Sequence, residues 1–330
     1  RDQAAALLSQ TGCSAPGNPQ SPAASLIPYS VSSPLWSDGA SKLRYMALPD
    51  GATISVKDCQ RDPAACNPAD PAYTLQDEGD WDVPNGTVLV KTFRLENRMV
   101  ETRLLVRVDA FNWWGYGYEW RPDQTDADLL PANQDGYERT IPAAAGSQTW
   151  HFPSRTQCLQ CHTDAAGQSL GLETSQLNID FVYPNRVAAN ELETLGRVGA
   201  FATGAEPAPR PAYPNPADDR LPLEARARSY LHANCAICHR PGGESSTDMD
   251  FRFQTLLSDT QLCGHPAQFG DLGAPGALRI APGDPAKSVV SLRMHSLDPA
   301  VRMPRIGTRV VDEVGVGVID AWIASLPGCQ

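Results

Sequence analysis

The sequence lacks a long hydrophobic run and has few basic residues for its length. None of its 330 residues lies in an apolar stretch of about 18 residues, the length that a membrane-spanning helix needs. Lys and Arg number 27 against 38 Asp and Glu, which gives a formal net charge of −11. Such an acidic chain argues against nucleic acid or an anionic membrane surface as a partner. A partner with a basic docking surface fits this charge better.

Histidine is also scarce, and two of the six histidines follow cysteine pairs of the same spacing. Each pair separates two thiols by two residues and places an imidazole directly after the second thiol. This C-x-x-C-H pattern is the attachment signature of a c-type haem. The cysteines form thioethers with the haem vinyl groups, and the histidine ligates the iron. The residues are Cys158, Cys161 and His162 in the first motif, and Cys235, Cys238 and His239 in the second.

Two other uses of paired cysteines fit the pattern less well. A structural zinc site would take four cysteines from the two motifs, but it would leave the histidine after each pair without a role. A redox dithiol of the thioredoxin type belongs to a βαβ context, which surrounds neither motif. The sequence therefore predicts two covalently bound haem c groups, with His162 and His239 as iron ligands.

Covalent haem also predicts the compartment. The attachment takes place on the outer side of the bacterial cytoplasmic membrane, and residues 1–28 lack the charged-then-apolar pattern of a signal peptide. We therefore expect a processed chain that works in the periplasm or outside the cell.

Five cysteines lie outside the two motifs, and an oxidising compartment favours disulfides among them. Cys59 and Cys66 flank a short polar segment and are predicted to pair. Cys329, near the chain end, is expected to pair with Cys13 or with Cys263. The alternative is that these last three cysteines are reduced and buried.

The pattern along the chain predicts an α+β protein. Residues 1–28 are an extended lead-in, and residues 29–150 alternate like short strands separated by turn residues, as in an antiparallel β-sandwich; residues 87–93 and 101–108 are two of these predicted strands. Residues 151–220 hold the first motif, a short helix predicted over residues 190–195, and a linker with five prolines between positions 207 and 216. Residues 221–330 have helical periodicity near both ends. The expected architecture is an N-terminal β-sandwich-like domain followed by an α-helical domain.

Aromatic residues are concentrated in the predicted β domain, where six of the seven tryptophans lie between Trp36 and Trp150. Three of them occur between positions 113 and 120. They are expected to build the core and rim of the sandwich. Alternatively, they form a wall against the first haem that shields it from water and tunes its potential.

Three features of residues 221–330 together resemble a class I cytochrome c domain. A helix predicted over residues 223–238 leads into the second motif, and another is predicted over residues 311–326. Between them, Met303 precedes a proline in a polar loop. The resemblance implies that His239 is the proximal and Met303 the distal ligand of the second haem, with an ordinary core position as the alternative for Met303.

The same resemblance implies roles for four more residues. Tyr230 and Trp322 would pack where the first and last helices cross. Arg293 or Arg302 would neutralise a haem propionate, unless these arginines are simply solvated at the surface.

Segments along most of the chain resemble a family of exported bacterial dihaem c-type cytochromes. The residues that carry the resemblance are 34–40 (PLWSDGA), 86–93, 101–105, Trp120 with 125–127, 171–178, and 226–231 leading into 234–235. Membership of this family implies two haems and export, but it does not imply a particular reaction.

The distal ligand of the first haem is not evident from the sequence. His151 and His232 are the leading candidates, with Met46 and Met99 behind them, and an open iron is a further alternative. If both irons have two axial ligands, the protein carries electrons between redox partners. If the first iron is open, the protein is an oxidoreductase, such as a peroxidase or a small-molecule dehydrogenase, with the second haem as its relay.

We favour the electron carrier because no acid–base pair is recognisable, and we predict no catalytic residue. A third hypothesis makes the β domain a docking or carbohydrate-binding module, which would need a solvent-facing aromatic patch.

Overall fold

The computed structural model describes residues 4–56, 79–132, 135–143 and 146–329. The chain divides into two compact units. The first comprises Arg1–Val31 and Gly39–Pro211, and the second comprises Ser32–Asp38 and Ala212–Gln330. The division after Pro211 falls inside the proline-rich segment between positions 207 and 216. The predicted Cys59–Cys66 disulfide lies outside the described residues.

A six-stranded antiparallel sheet forms the centre of the first unit. The strands predicted over residues 87–93 and 101–108 are its two central members, where alternating side chains meet protein on both faces. In spatial order the strands are β10 (Ala127–Leu129), β9 (Trp113–Trp120), β8 (Arg98–Arg107), β7 (Val88–Leu95), β4 (Ser41–Ala47) and β3 (Ile27–Tyr29).

Each face of this sheet contributes to a different hydrophobic cluster. Strand alternation sends neighbouring residues to opposite faces, so Leu89 and Val90 enter different clusters. Leu89 packs with Met46 and Leu105 on one face, while Val90 packs with Leu104 and Tyr118 on the other. The sheet is therefore covered on both sides.

The aromatic residues of β9 are mostly core. Trp113 and Trp120 are buried in different clusters, whereas Trp114 is 36% exposed. This distribution matches the expectation that the segment supplies core and rim.

The remaining strands form two-stranded antiparallel ribbons. Within the described residues, no second large sheet accompanies the six-stranded one. One ribbon packs Trp150 and Phe152 against Phe93 of the main sheet. The pairs are β1 (Ser14–Ala15) with β2 (Asn18–Pro22), β5 (Ser55–Val56) with β6 (Trp81–Asp82), β11 (Tyr137–Ala143) with β12 (Gly146–Phe152), and β13 (Asp180–Val182) with β14 (Ala188–Asn190).

Three short helices follow the β segment in the first unit. They are α1 (Arg155–Leu159), α2 (Thr174–Leu177) and α3 (Glu191–Arg197). The third confirms the helix expected near residues 190–195, and it begins where the Asn190 side chain accepts hydrogen bonds from two backbone amides. Mixed helices and antiparallel sheets make the chain α+β, as predicted.

The second unit is built on three helices, α4 (Leu223–Asn234), α5 (Val289–His295) and α6 (Glu313–Ser325). Helices α4 and α6 confirm the two periodic segments predicted there. Tyr230 of α4 and Trp322 of α6 lie in one hydrophobic cluster, and the Tyr230 ring packs against Gly315 of α6. These two aromatics therefore pack between the helices, as the resemblance implied.

Residues Ser32–Asp38 belong to the second unit although the chain on either side of them belongs to the first. Asn234 Oδ1 at the end of α4 accepts a hydrogen bond from the backbone N–H of Trp36 at 2.6 Å. Asp38 Oδ1 accepts from the N–H groups of Arg309 at 2.8 Å and of Val310 at 3.0 Å. This segment therefore ties the end of α4 to the loop before α6.

Cys263 and Cys329 form a disulfide across a sequence separation of 66 residues. This is one of the two pairings expected for Cys329, and it is typical of proteins from oxidising compartments. Cys13 is not in a disulfide. Among the described residues, no helix combines the length and the hydrophobicity that crossing a membrane requires.

Candidate functional site

The first C-x-x-C-H motif begins in α1 and closes into a tight turn. The Ser154 side chain and Gln157 form a capping box that fixes the start of this helix. The carbonyl oxygen of Cys158 then accepts hydrogen bonds from the N–H of Cys161 at 3.3 Å and of His162 at 3.1 Å. The turn therefore brings two sulfurs and an imidazole together on one short segment.

The second motif has the same hydrogen-bond pattern at the end of α4. Cys235 caps this helix, and its carbonyl oxygen accepts from the N–H of Cys238 at 3.1 Å and of His239 at 2.9 Å. The two motifs lie in different units and at helices of different length, yet their first cysteines accept the same two backbone hydrogen bonds.

The His162 ring is held in one orientation and one tautomer. Its Nδ1 lies 2.5 Å from the carbonyl oxygen of Gln168, and a carbonyl can only accept, so Nδ1 carries the hydrogen. Burial, followed by the nearby charge of Lys91, lowers the pKa of His162 to about 3. The ring is therefore neutral at physiological pH, and the lone pair of Nε2 is available to a metal.

The His239 ring is arranged in a similar way. Its Nδ1 lies 2.9 Å from the hydroxyl of Thr247, which also exchanges a hydrogen bond with Ser245. Burial, followed by the charge of Arg293, lowers the pKa of His239 to about 4. Within the described residues, Nε2 of His162 and of His239 takes part in no hydrogen bond.

The four motif cysteines show no sign of redox or metal chemistry of their own in the described part of the chain. None of them belongs to a disulfide. Burial raises the pKa of the Cys158 thiol and raises that of Cys235 to about 12, opposite to the lowered pKa of a redox-active thiol. In the described part of the chain, no three His, Cys, Asp or Glu side chains converge on a common point that could hold a metal ion, so a four-cysteine zinc site is not formed there.

This donor set fits a haem c in each unit. A haem iron already has its ring nitrogens as ligands and needs only axial ligands from the protein. Such a group requires two sulfurs and one neutral imidazole from its proximal side, with Nε2 available to the iron and Nδ1 held by a hydrogen bond.

Met303 lies in a half-buried loop anchored to α5. Its N–H donates to the Arg293 carbonyl at 3.0 Å, and the Arg293 guanidinium donates to the Val301 carbonyl at 2.8 Å. Met294 of α5, in contrast, is buried in the hydrophobic cluster of the second unit. The Arg293 charge also acts on His239. The loop with Met303 is thus connected through Arg293 to the surroundings of His239.

Arg302 is buried, and its guanidinium donates to the carbonyl oxygens of Leu297 at 3.2 Å and Arg305 at 3.4 Å. Both arginines that were candidates for haem propionates therefore hold the backbone around Met303 in place.

The candidates for the distal ligand of the first iron all have structural roles. His151 Nε2 lies 3.1 Å from the side chain of Gln157, the residue that caps α1. His232 belongs to the second unit, where its Nδ1 accepts from the Phe253 N–H at 3.2 Å. Met46 is fully buried in the sheet core, and Met99 packs against the cluster on the opposite face. Through Gln157, His151 is in direct contact with the helix that carries the first motif.

The sequence interpretation missed the charged residues that surround the first motif. Lys91 of β7 and Arg103 of β8 both act electrostatically on Cys158 and on His162. The available signal was a lysine in the middle of a strongly apolar strand, residues 88–95, where a solvated residue is not expected.

Comparisons with protein-family models, with curated proteins and with solved structures found no match to this chain.

Proposed function

We propose that this protein is a dihaem c-type cytochrome that transfers electrons in the periplasm or at the cell surface. The observation that carries the proposal is the common geometry of the two motifs. In both, the cysteine carbonyl closes the same turn, Nδ1 of the histidine is engaged, and Nε2 is left for a metal. In this proposal Cys158 and Cys161 hold one haem c, and Cys235 and Cys238 hold the other.

When bound, each haem supplies a one-electron couple at its iron. The side chains of the protein would hold each iron and set its reduction potential. His162 and His239 serve as proximal ligands, and a hydrogen bond to Nδ1 raises the basicity of the ligating nitrogen. Met303 is the distal ligand of the second haem, in a unit that resembles a class I cytochrome c domain. Partners would be redox proteins with a basic docking surface, in keeping with the net charge of −11.

The proposal is tested by the mass of the denatured chain after expression in a bacterial periplasm with haem-attachment machinery. We expect the mass of two haems on the wild type and of one haem on the double variant Cys158→Ala/Cys161→Ala. The double variant Cys235→Ala/Cys238→Ala should also retain one. Cys13→Ala is the matched control, because Cys13 lies outside both motifs and outside any disulfide, and it should retain two. A wild-type chain without added mass would refute the proposal.

A dihaem oxidoreductase is the second candidate, and the surroundings of the first motif favour keeping it. Each predicted sixth ligand has a structural role: His151 and His232 take part in hydrogen bonds, Met46 is buried in the sheet core, and Met99 packs against the cluster on the opposite face. Electron paramagnetic resonance of the oxidised protein, with and without cyanide, separates the two functions. Two low-spin signals unchanged by cyanide indicate the carrier, whereas a high-spin signal that converts on adding cyanide indicates an open first iron.

A further inference from the structure

Three basic residues lie side by side on one face of the main sheet. Lys91 of β7 is paired with Arg44 of β4 on one side and with Arg103 of β8 on the other. Directly paired residues of antiparallel strands project to the same face, so these three side chains form one row across the sheet. We call this row the basic row.

The basic row lies beside the first motif. On the next strand, β9, the residue paired with Arg103 is Gly117, so the row ends there without a side chain. Gly115 lies two residues before Gly117 and is therefore on the same face of the sheet. A Cβ atom on Gly115 would lie 3.0 Å from Cβ and 3.4 Å from Sγ of Cys158. Helix α1 therefore packs against β9 at Gly115, next to the basic row.

Electrostatic interactions also connect the basic row with the first motif. The charge of Lys91 interacts with both thiols of the first motif, and the charges of Lys91 and Arg103 help to lower the pKa of His162. The row is thus close enough to the motif to contact a group attached there.

Only one member of the row has an ion pair. Arg103 donates to both carboxylate oxygens of the buried Glu101, at 2.8 and 2.7 Å, and its guanidinium lies 4.4 Å from the centre of the Phe93 ring. Lys91 and Arg44, in contrast, have no hydrogen bond or ion pair with any part of the chain that the structure describes.

The carboxylate that interacts electrostatically with Arg44 does not balance its charge. The Tyr29 hydroxyl and the carboxyl group of Glu191 in α3 both interact electrostatically with Arg44. Burial, however, raises the pKa of Glu191 to about 8. Glu191 is therefore largely protonated at neutral pH. Burial, with Arg44 and Arg103 next, lowers the pKa of Lys91 to about 7. A half-buried cation without a counter-ion is unfavourable, so the row is electrostatically incomplete without an anion.

We propose that Lys91 and Arg44 bind the two propionate carboxylates of the haem attached to Cys158 and Cys161, with Arg103 as a fixed cation beside them. The inference rests on the proposed function, since it requires that haem. The chemistry matches in number and sign: a haem carries two carboxylates on one edge, and the row offers two basic side chains without an ion pair, of which Lys91 would be kept protonated by a carboxylate beside it. Charge-assisted hydrogen bonds between such partners are stronger than neutral ones.

The test uses the holoprotein and compares Lys91→Met with Arg98→Met. Both variants remove one positive charge from the same sheet, but Arg98 is exposed at the end of β8, where it donates to the Pro122 carbonyl. We expect Lys91→Met to lower the potential of one haem, because an uncompensated carboxylate favours the ferric state, and to shift the propionate bending modes in the resonance Raman spectrum. Lys91→Arg should restore both, and Arg98→Met should change neither.

A second measurement needs no variant. Paired carboxylates stay ionised, so the propionate modes of the first haem in the wild type should not change between about pH 5 and pH 8. Titration of these modes in that range would overturn the inference, even if Lys91→Met failed to fold.

The remaining outcomes separate the inference from the proposed function. Covalent haem at Cys158 with potential and Raman modes unmoved by Lys91→Met would refute the propionate site alone. A low-spin signal of the first haem that becomes high-spin in Lys91→Met would make Lys91 an iron ligand and would also refute it. A wild type without haem mass at Cys158 and Cys161 would refute the proposed function and the inference together.

Discussion

Gly315 of α6 is the position where the packing of the second unit leaves no space for a side chain. A Cβ atom there would lie 2.6 Å from the Tyr230 hydroxyl and closer still to two carbons of the ring. Tyr230 is 5% exposed, and its hydroxyl is hydrogen-bonded to Asp312, so the ring has little room to move. Gly315→Ala should therefore force α4 and α6 apart at the point where they cross.

Gly317 is the matched control two residues further along the same helix. It is exposed, and a Cβ atom added to it would meet nothing within 4 Å. Alanine is favoured over glycine in a helix by about 1 kcal/mol, so Gly317→Ala should raise the free energy of unfolding. Gly315→Ala has a similar gain but also the cost of overpacking a core, about 1–3 kcal/mol.

The difference between the two alanine variants isolates the steric cost, because the helix propensity largely cancels. Urea unfolding followed by circular dichroism should show Gly315→Ala to be less stable than Gly317→Ala by about 1–3 kcal/mol. The comparison is then repeated in a Tyr230→Leu background, which removes the ring. There, the Gly315→Ala and Gly317→Ala chains should be equally stable. Equal stability of the two single variants would refute the close contact between α4 and α6.

Three further changes test other parts of the molecule. Met303→Ala should lower the potential of one haem and remove the near-infrared sulfur-to-iron band, whereas Met294→Ala, in the core, should cost about 2–5 kcal/mol of stability and leave the band unchanged. Cys263→Ser should lower the free energy of unfolding by about 4 kcal/mol, the loop-closure value for a separation of 66 residues, and an unchanged free energy in a urea titration would contradict the stabilising role of this disulfide. Glu191 has a pKa of about 8 in the fold against an ordinary value of 4.5, so the folded chain binds the extra proton and stability should fall as pH rises through that window. Glu191→Gln should flatten this part of the stability profile, and Glu193→Gln, on the exposed side of the same helix, should not.

Features that depend on local sequence could be predicted well. The periodic segments near residues 223 and 313 became helices α4 and α6, and the alternating segments near residues 87 and 101 became β7 and β8. Helical and strand periodicity are properties of neighbouring residues, so they can be recognised without knowledge of the rest of the chain. The turn of each motif is local in the same sense, since its hydrogen bonds join residues three and four positions apart.

Features that depend on distant residues could not be predicted in the same way. The segment Ser32–Asp38 joins the second unit through Asp38, which binds backbone groups of Arg309 and Val310, 271 and 272 positions away. Nothing in the local pattern specifies such a partner. The pairing of Cys329 remained open for the same reason, because the choice between Cys13 and Cys263 is made by the fold.

The basic row shows how far the surroundings of a local motif depend on strand register. Lys91, Arg44 and Arg103 come from three strands and meet only because β7 pairs with both β4 and β8 in this register. A shift of one residue in either pairing would send one arginine to the opposite face of the sheet, and the row would lose a cation. The proposal of a haem at the first motif rests on five neighbouring residues, whereas the charges beside that motif are set by the pairing of distant strands. Mutations that alter the register of β4 or β8 should therefore change the potential of the first haem without touching its ligands.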